Sequence, residues 1–168
     1  MKSKHPAATA DRAATPDPTS FSALQVTEAE VLQAVKAFPA GSSGGPDGFR
    51  PQHLLELVCC QSNGRSLLRE LTGFINFVLD GKYPAVVRPV FFRARLLALE
   101  KKGGRYHPIA IGYTLRRLVA KCANNFAQKR LVNYFCPLQV GVAVSRGCEA
   151  AVHATRRFVE NMSDDDVV

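Results

Sequence analysis

Residues 91–117, FFRARLLALEKKGGRYHPIAIGYTLRR, restrict the fold more than any other stretch of the chain. An apolar run over 91–99 leads into Lys101 and Lys102. Gly103 and Gly104 separate it from a second apolar run over 106–111. Two short apolar runs joined by glycines read as an antiparallel hairpin, because glycine takes up the left-handed backbone that a tight turn demands. Pro108 has no N–H to offer a ladder, so its strand should lie at a sheet edge or bend there. The lysines place positive charge at the tip, which suits a polyanion.

Around this hairpin the chain reads as helical. Thr27 and Glu30 form a capping box, and Val31, Leu32, Val35 and Phe38 follow as one apolar stripe that Pro39 stops. Residues 41–48, GSSGGPDG, are a loop in which Asp47 should fix the turn. Pro51 suits the first turn of a second helix through Leu54, Leu55, Leu57 and Val58. A break at 61–64 leads to a third helix with Leu67, Leu68, Leu71, Phe74, Ile75 and Val78 as its buried face, ended by Gly81. Residues 83–88 read as a connector. After the hairpin, Leu115, Leu118, Val119, Cys122, Phe126, Leu131 and Phe135 recur every three or four residues, which predicts a helix over 114–135. Pro137 ends it, 138–144 reads as short and extended, and 147–162 as a last helix with Ala150, Ala151, Ala154 and Phe158 on one side. The expected fold class is therefore α+β, mostly helical, with one two-stranded hairpin. Residues 1–20 have no apolar stretch and are expected to be a disordered lead-in, not a secretory signal.

A chain of 168 residues that is 46% apolar can bury one core. Its net charge of +8 is uneven. Between Arg88 and Arg130 stand Arg88, Arg93, Arg95, Lys101, Lys102, Arg105, Arg116, Arg117, Lys121, Lys129 and Arg130 against the single acid Glu100. Such a block is the electrostatic footprint of a phosphate-rich partner, or else a solvated face that keeps the chain soluble. Cys59, Cys60, Cys122, Cys136 and Cys148 show no CxxC spacing and read as reduced thiols, mostly in core positions. The four histidines have no partner at metal-ligand spacing, so no metal site is expected. No run approaches the roughly 20 apolar residues of a membrane span. An intracellular protein of cytoplasm or nucleus, with no membrane partner, is the expectation.

Four separated blocks then fall into one pattern. They are Gly45-Pro46-Asp47-Gly48-Phe49; the lysine, glycine turn and Pro-apolar step at Lys101, Gly103, Gly104 and Pro108-Ile109; the basic helix over 115–131; and Gln139-Val140-Gly141 followed by Arg146-Gly147 and an Ala-rich helix. In this order and spacing, over residues 21–168, the chain resembles the N-terminal extension and fingers of the reverse transcriptases of non-long-terminal-repeat retrotransposons. Group II intron enzymes share the pattern. Two positions depart from it: His107 stands where the family carries Arg, and Val142 and Ala143 stand where it carries Phe and Arg.

The resemblance implies an RNA-directed DNA polymerase (a nucleotidyltransferase) whose partners are an RNA or DNA template and dNTPs. It assigns nucleotide-phosphate contact to Lys101, with Arg105 and His107 beside it. Arg105 and His107 are two apart on one strand and so share a face. An imidazole in place of a guanidinium should make the weaker contact. Template contact would fall to Arg116, Arg117, Lys121 and Gln139. Polymerisation also needs metal-bound carboxylates, and Mg2+ is expected for the complete family domain. The family's Asp-bearing strand and Asp-Asp turn are not found in these residues. Asp164, Asp165 and Asp166 read instead as a solvated turn before a strand begun by Val167 and Val168. No catalytic residue is assigned, the palm sheet is expected to be missing, and the chain alone is expected to be inactive. Without the palm segment to pack on, the fingers should expose apolar surface. The other reading is a small basic nucleic-acid-binding adaptor without polymerase ancestry.

Overall fold

The computed structural model describes residues 22–142 and 144–162. The lead-in read over 1–20 and the acidic turn at Asp164, Asp165 and Asp166 lie outside them. In chain order the elements are α1 (Glu28–Lys36), α2 (Pro51–Val58), α3 (Gly64–Leu79), α4 (Arg88–Phe91), β1 (Ala94–Lys101), β2 (Arg105–Gly112), α5 (Thr114–Phe135) and α6 (Gly147–Glu160). The fold is α+β, mostly helical, with a two-stranded antiparallel sheet among the described residues.

Local chemistry sets the helix ends. Thr27 accepts the Glu30 N–H at 3.3 Å and gives its own N–H to the Glu30 carboxylate at 3.0 Å, which completes the capping box. The Thr27 N–H first, and then the Lys129 ammonium 3.1 Å away, hold the Glu30 carboxyl below its ordinary value. Pro51 occupies the first turn of α2, where its missing N–H costs nothing. Gly81 follows α3 at φ 72°, the left-handed stop that the sequence predicts.

The core lies where α1, α2, α3 and the first half of α5 meet. Val31, Val35, Leu54, Val58, Leu68, Leu71, Ile75, Leu118, Val119 and Cys122 are buried in one cluster. Each of the large aliphatic side chains adds about 1.5–3 kcal/mol by leaving water. A polar clamp closes one end. Asn76 on α3 accepts the Val26 N–H at 2.8 Å and donates to the Val26 carbonyl at 3.0 Å, pairing the approach to α1 as a strand neighbour would.

The structure corrects six details of the sequence reading. The first strand begins at Ala94 and not at Phe91. The 83–88 connector instead winds into a 3₁₀ turn (Ala85–Val87) and then α4. Pro89 suits a first helical turn, and Phe91 turns inward to meet Phe74, with ring centres 6.2 Å apart. The cysteines are mostly not core residues, since only Cys122 is buried and the other four are exposed. On α5 the stripe is buried through Cys122 but Leu131 is exposed, because the core helices cover only the first half. Residues 138–144 hold turns with no strand among those described. On α6, Ala150, Ala151, Ala154 and Phe158 are all exposed, because no element among the described residues covers that side. Apolar surface is open elsewhere too: Leu96 is 71% and Tyr106 67% exposed.

Candidate nucleic-acid interface

The hairpin register decides which cations stand together. Lys101 pairs with Arg105, and His107 faces Leu99. Directly opposite residues of an antiparallel pair share a face, so Lys101, Arg105 and His107 lie on one side of the ribbon next to its tip. All three are exposed. Gly103 (φ 90°) and Gly104 (φ 70°) turn the tip, a backbone that side chains rarely adopt. Positive charge is thus held at the exposed end of a short two-stranded ribbon.

The cations of α5 are placed differently. Arg116 donates from Nη1 to the Phe92 carbonyl at 2.8 Å and lies 5.1 Å over the Phe92 ring. Arg117 donates from Nη1 to the Ser43 carbonyl at 2.7 Å and lies 5.3 Å over Phe38. Lys121 Nζ stands 5.1 Å over the same Phe38 ring. These three side chains therefore fasten α5 to the chain before β1, to the glycine-rich loop and to Phe38 just after α1. A guanidinium has five N–H donors, so each arginine keeps donors beyond the one it spends here. Gln139 stands apart from this group. It lies in the turns after α5, and its Oε1 accepts the Gly141 N–H at 2.9 Å.

Between the hairpin base and α5 runs an open groove of about 480 Å³, lined by Ser43, Ala94, Ala110, Gly112, Arg116 and Arg117 among others. Ala94, Ala110 and Gly112 have the opposite strand parity to Lys101, Arg105 and His107. By that parity these three residues lie on the ribbon face opposite the tip cluster, while Ile111, which also lines the groove, shares the parity of Arg105 and His107. Apart from Ile111 and the two arginines, the groove is lined by small residues, Ser43, Ala94, Ala110, Gly112 and Ala120.

The 45–49 block locks onto this base. Gly48 N–H reaches the Gly45 carbonyl at 3.0 Å, and Asp47 Oδ1 accepts the Phe49 N–H at 3.1 Å, so the tight turn holds itself as the sequence predicts. Gly45 is buried with its Cα against the β2–α5 junction, where a Cβ would come within 2.7 Å of Tyr113 Cα and 2.8 Å of the Gly112 oxygen. Next to it the buried Thr114 hydroxyl donates to the Phe49 carbonyl, 65 residues away in sequence. Sequence reasoning missed Thr114, Phe38 and Phe92 as parts of the site. Thr114 carried a signal, because it stands in phase with Leu118 and Cys122 on the buried stripe and so needed an internal partner. The two phenylalanines carried none beyond their apolar character.

Among the described residues, no three His, Cys, Asp or Glu side chains converge where they could hold a metal ion. Among the same residues no helix is long and apolar enough to cross a membrane. Comparison with protein-family models, curated proteins and known structures returns no match.

Proposed function

We propose that this chain is the N-terminal extension and fingers portion of an RNA-directed DNA polymerase of the retrotransposon type. In this reading it grips nucleic-acid and nucleotide phosphates and leaves the bond-making chemistry to carboxylates that these residues do not contain. One observation carries the reading. The 45–49 block packs on the junction that joins the hairpin to α5, with Gly45 against Gly112 and Tyr113 and the Phe49 carbonyl accepting from Thr114.

In this reading Lys101, Arg105 and His107 contact the phosphates of an incoming nucleotide. Arg116, Arg117 and Lys121 flank the template backbone, and Gln139 contributes from the turn beyond α5. Ionic contacts of this kind release condensed counterions, so affinity falls as salt rises, by about 0.7–0.9 in log-log slope for each phosphate neutralised. The test is fluorescence anisotropy of a labelled RNA template with a DNA primer, titrated with the purified chain over a salt series. The expected outcome is a steep salt dependence. Arg117→Gln with Lys121→Gln, both assigned to the template backbone, should cut the slope by about 1.5, whereas Lys101→Gln with Arg105→Gln, exposed and assigned to the incoming nucleotide, should leave the template slope and the melting temperature unchanged. Binding that ignores salt, or no binding, would overturn the phosphate grip. Magnesium-dependent primer extension by the chain alone would overturn the division of labour. Salt-dependent binding beside downstream coding sequence that lacks any apolar strand ending in Asp would favour the basic adaptor.

A further inference from the structure

Cys59 and Cys60 close α2, and both thiols are exposed, so neither fills the core. Cys60 Sγ lies 3.3 Å from Ser62 Oγ. The turn that places the hydroxyl there is itself tied, since Gly64 N–H donates to the Cys60 carbonyl at 2.9 Å as α3 begins. A hydroxyl at this distance can donate to a thiolate, which is the nucleophilic form of cysteine. The Ser62 hydroxyl first, and then the N–H groups of Ser62 and Asn63, hold the Cys60 thiol below its ordinary value. Cys59, the next residue, is a second accessible thiol at the shortest separation a chain allows.

We propose that Cys59 and Cys60 form an oxidant-sensitive modification site, in which Cys60 reacts with a hydroperoxide and Cys59 resolves the product. In the first step the Cys60 thiolate attacks one peroxide oxygen. An S–O bond forms, the O–O bond breaks, and the leaving hydroxide takes up a proton as water. In the second step the Cys59 sulfur attacks the Cys60 sulfenic sulfur. An S–S bond forms, the S–O bond breaks, and the sulfenic oxygen leaves as a second water with the Cys59 proton. The two thiols lose two electrons and the hydroperoxide gains them. Adjacent Cα atoms are about 3.8 Å apart across a trans peptide, and disulfides prefer about 4.4–6.8 Å, so this bridge is strained and easily reduced. The site is therefore a reversible one. Closing the ring would also draw on the Cys60 N–H bond to the Leu57 carbonyl, 3.3 Å long, and loosen the last turn of α2 beside the buried Val58.

The experiment is titration of the full reduced chain with hydrogen peroxide, followed by intact mass and peptide mapping, with exposed Cys136 and Cys148 as internal references. The peptide holding Cys59 and Cys60 should lose two hydrogens at least about threefold faster than either reference oxidises, and dithiothreitol should restore it. Cys59→Ser should leave a sulfenic acid on Cys60 that dimedone traps. Ser62→Ala keeps both thiols and should slow the reaction. Oxidation of Cys136 or Cys148 at the same rate as Cys60 would overturn the proposal, as would bridges formed only between chains or a Ser62→Ala rate equal to wild type.

Discussion

Gly45→Ala tests whether the 45–49 loop is locked to the hairpin base by contact. The backbone at Gly45 lies outside the left-handed region, so alanine meets no conformational penalty there. In open space such a change would stabilise the fold by about 0.4–1 kcal/mol, because alanine has fewer unfolded states to lose. Here the added Cβ would sit 2.7 Å from Tyr113 Cα, 2.8 Å from the Gly112 oxygen and 2.9 Å from the Tyr113 nitrogen. Carbon contacts settle at about 3.5–4.0 Å, so roughly 1 Å must be opened between loop and junction. All three obstacles are backbone atoms, which no rotamer change can move aside. Overpacking of this kind costs about 1–3 kcal/mol. If the loop lifts, the bond from Thr114 to the Phe49 carbonyl goes with it, at about 1–3 kcal/mol more. The net expectation is a loss of about 2–4 kcal/mol. Gly48→Ala is the control. Gly48 sits at φ 73° with nothing within 4 Å of a Cβ, so it carries only the left-handed penalty of about 1–2 kcal/mol, less the same unfolded-state gain. Urea unfolding followed by far-ultraviolet circular dichroism ranks the two by midpoint at equal slope. A Gly45→Ala midpoint at or above wild type, or a Gly48→Ala loss larger than that of Gly45→Ala, would refute the reasoning.

Other expectations follow from the same geometry. Leu118→Ala empties a fully buried position between α5 and the other core helices and should cost about 2–5 kcal/mol, read from the same unfolding curves. Because the folded state lowers the Glu30 carboxyl, its contribution is complete above the unfolded carboxylate value and disappears as pH falls through the folded one. Wild type should therefore be more stable than Glu30→Gln near neutrality and no longer so in acid, as seen by thermal melts across pH. Burial, followed by the Glu30 charge, pushes the Cys122 thiol from its ordinary value of 9.0 up to about 11. A raised value means that the folded state holds its proton more tightly. The associated stability is present below 9.0 and is lost as pH rises from there towards about 11. Cys122→Ala should lack that alkaline loss in the same melts.

The exposed apolar residues bear on how such a chain behaves in solution. A two-stranded ribbon has an open edge on each strand, and lone hairpins are marginal in water. Among the described residues the ribbon is anchored at its base, where Gly112 packs on the Arg116 side chain, while Leu96 near the base and Tyr106 near the tip remain in solvent. Hydrogen exchange should accordingly be faster around Lys101 and Arg105 than around Ala94 and Gly112. Pro108 lends some protection, because a strand without that N–H is a poorer template for a further strand.

Much of the architecture was written locally. The Thr27–Glu30 box, Pro51, Gly81, the paired glycines at 103 and 104 and the three-to-four spacing from Leu115 onwards each act through neighbours a few residues away, so they can be read without knowing the fold. The placing of Lys101 with Arg105 belongs here as well, since a tight turn fixes register and register fixes parity. Other features needed the assembled chain. The stripe on α5 looks uniform, yet only its first half is buried, because burial depends on whether another helix arrives to cover it. Phe91 reads as strand by its type, and its packing on Phe74 makes it the end of a helix. The candidate site itself depends on Gly45 meeting Gly112 and Tyr113, and on Thr114 reaching Phe49 across 65 residues. Contacts between such distant residues arise when helices pack and their side chains compete for the same space, and no local pattern of residue types encodes them.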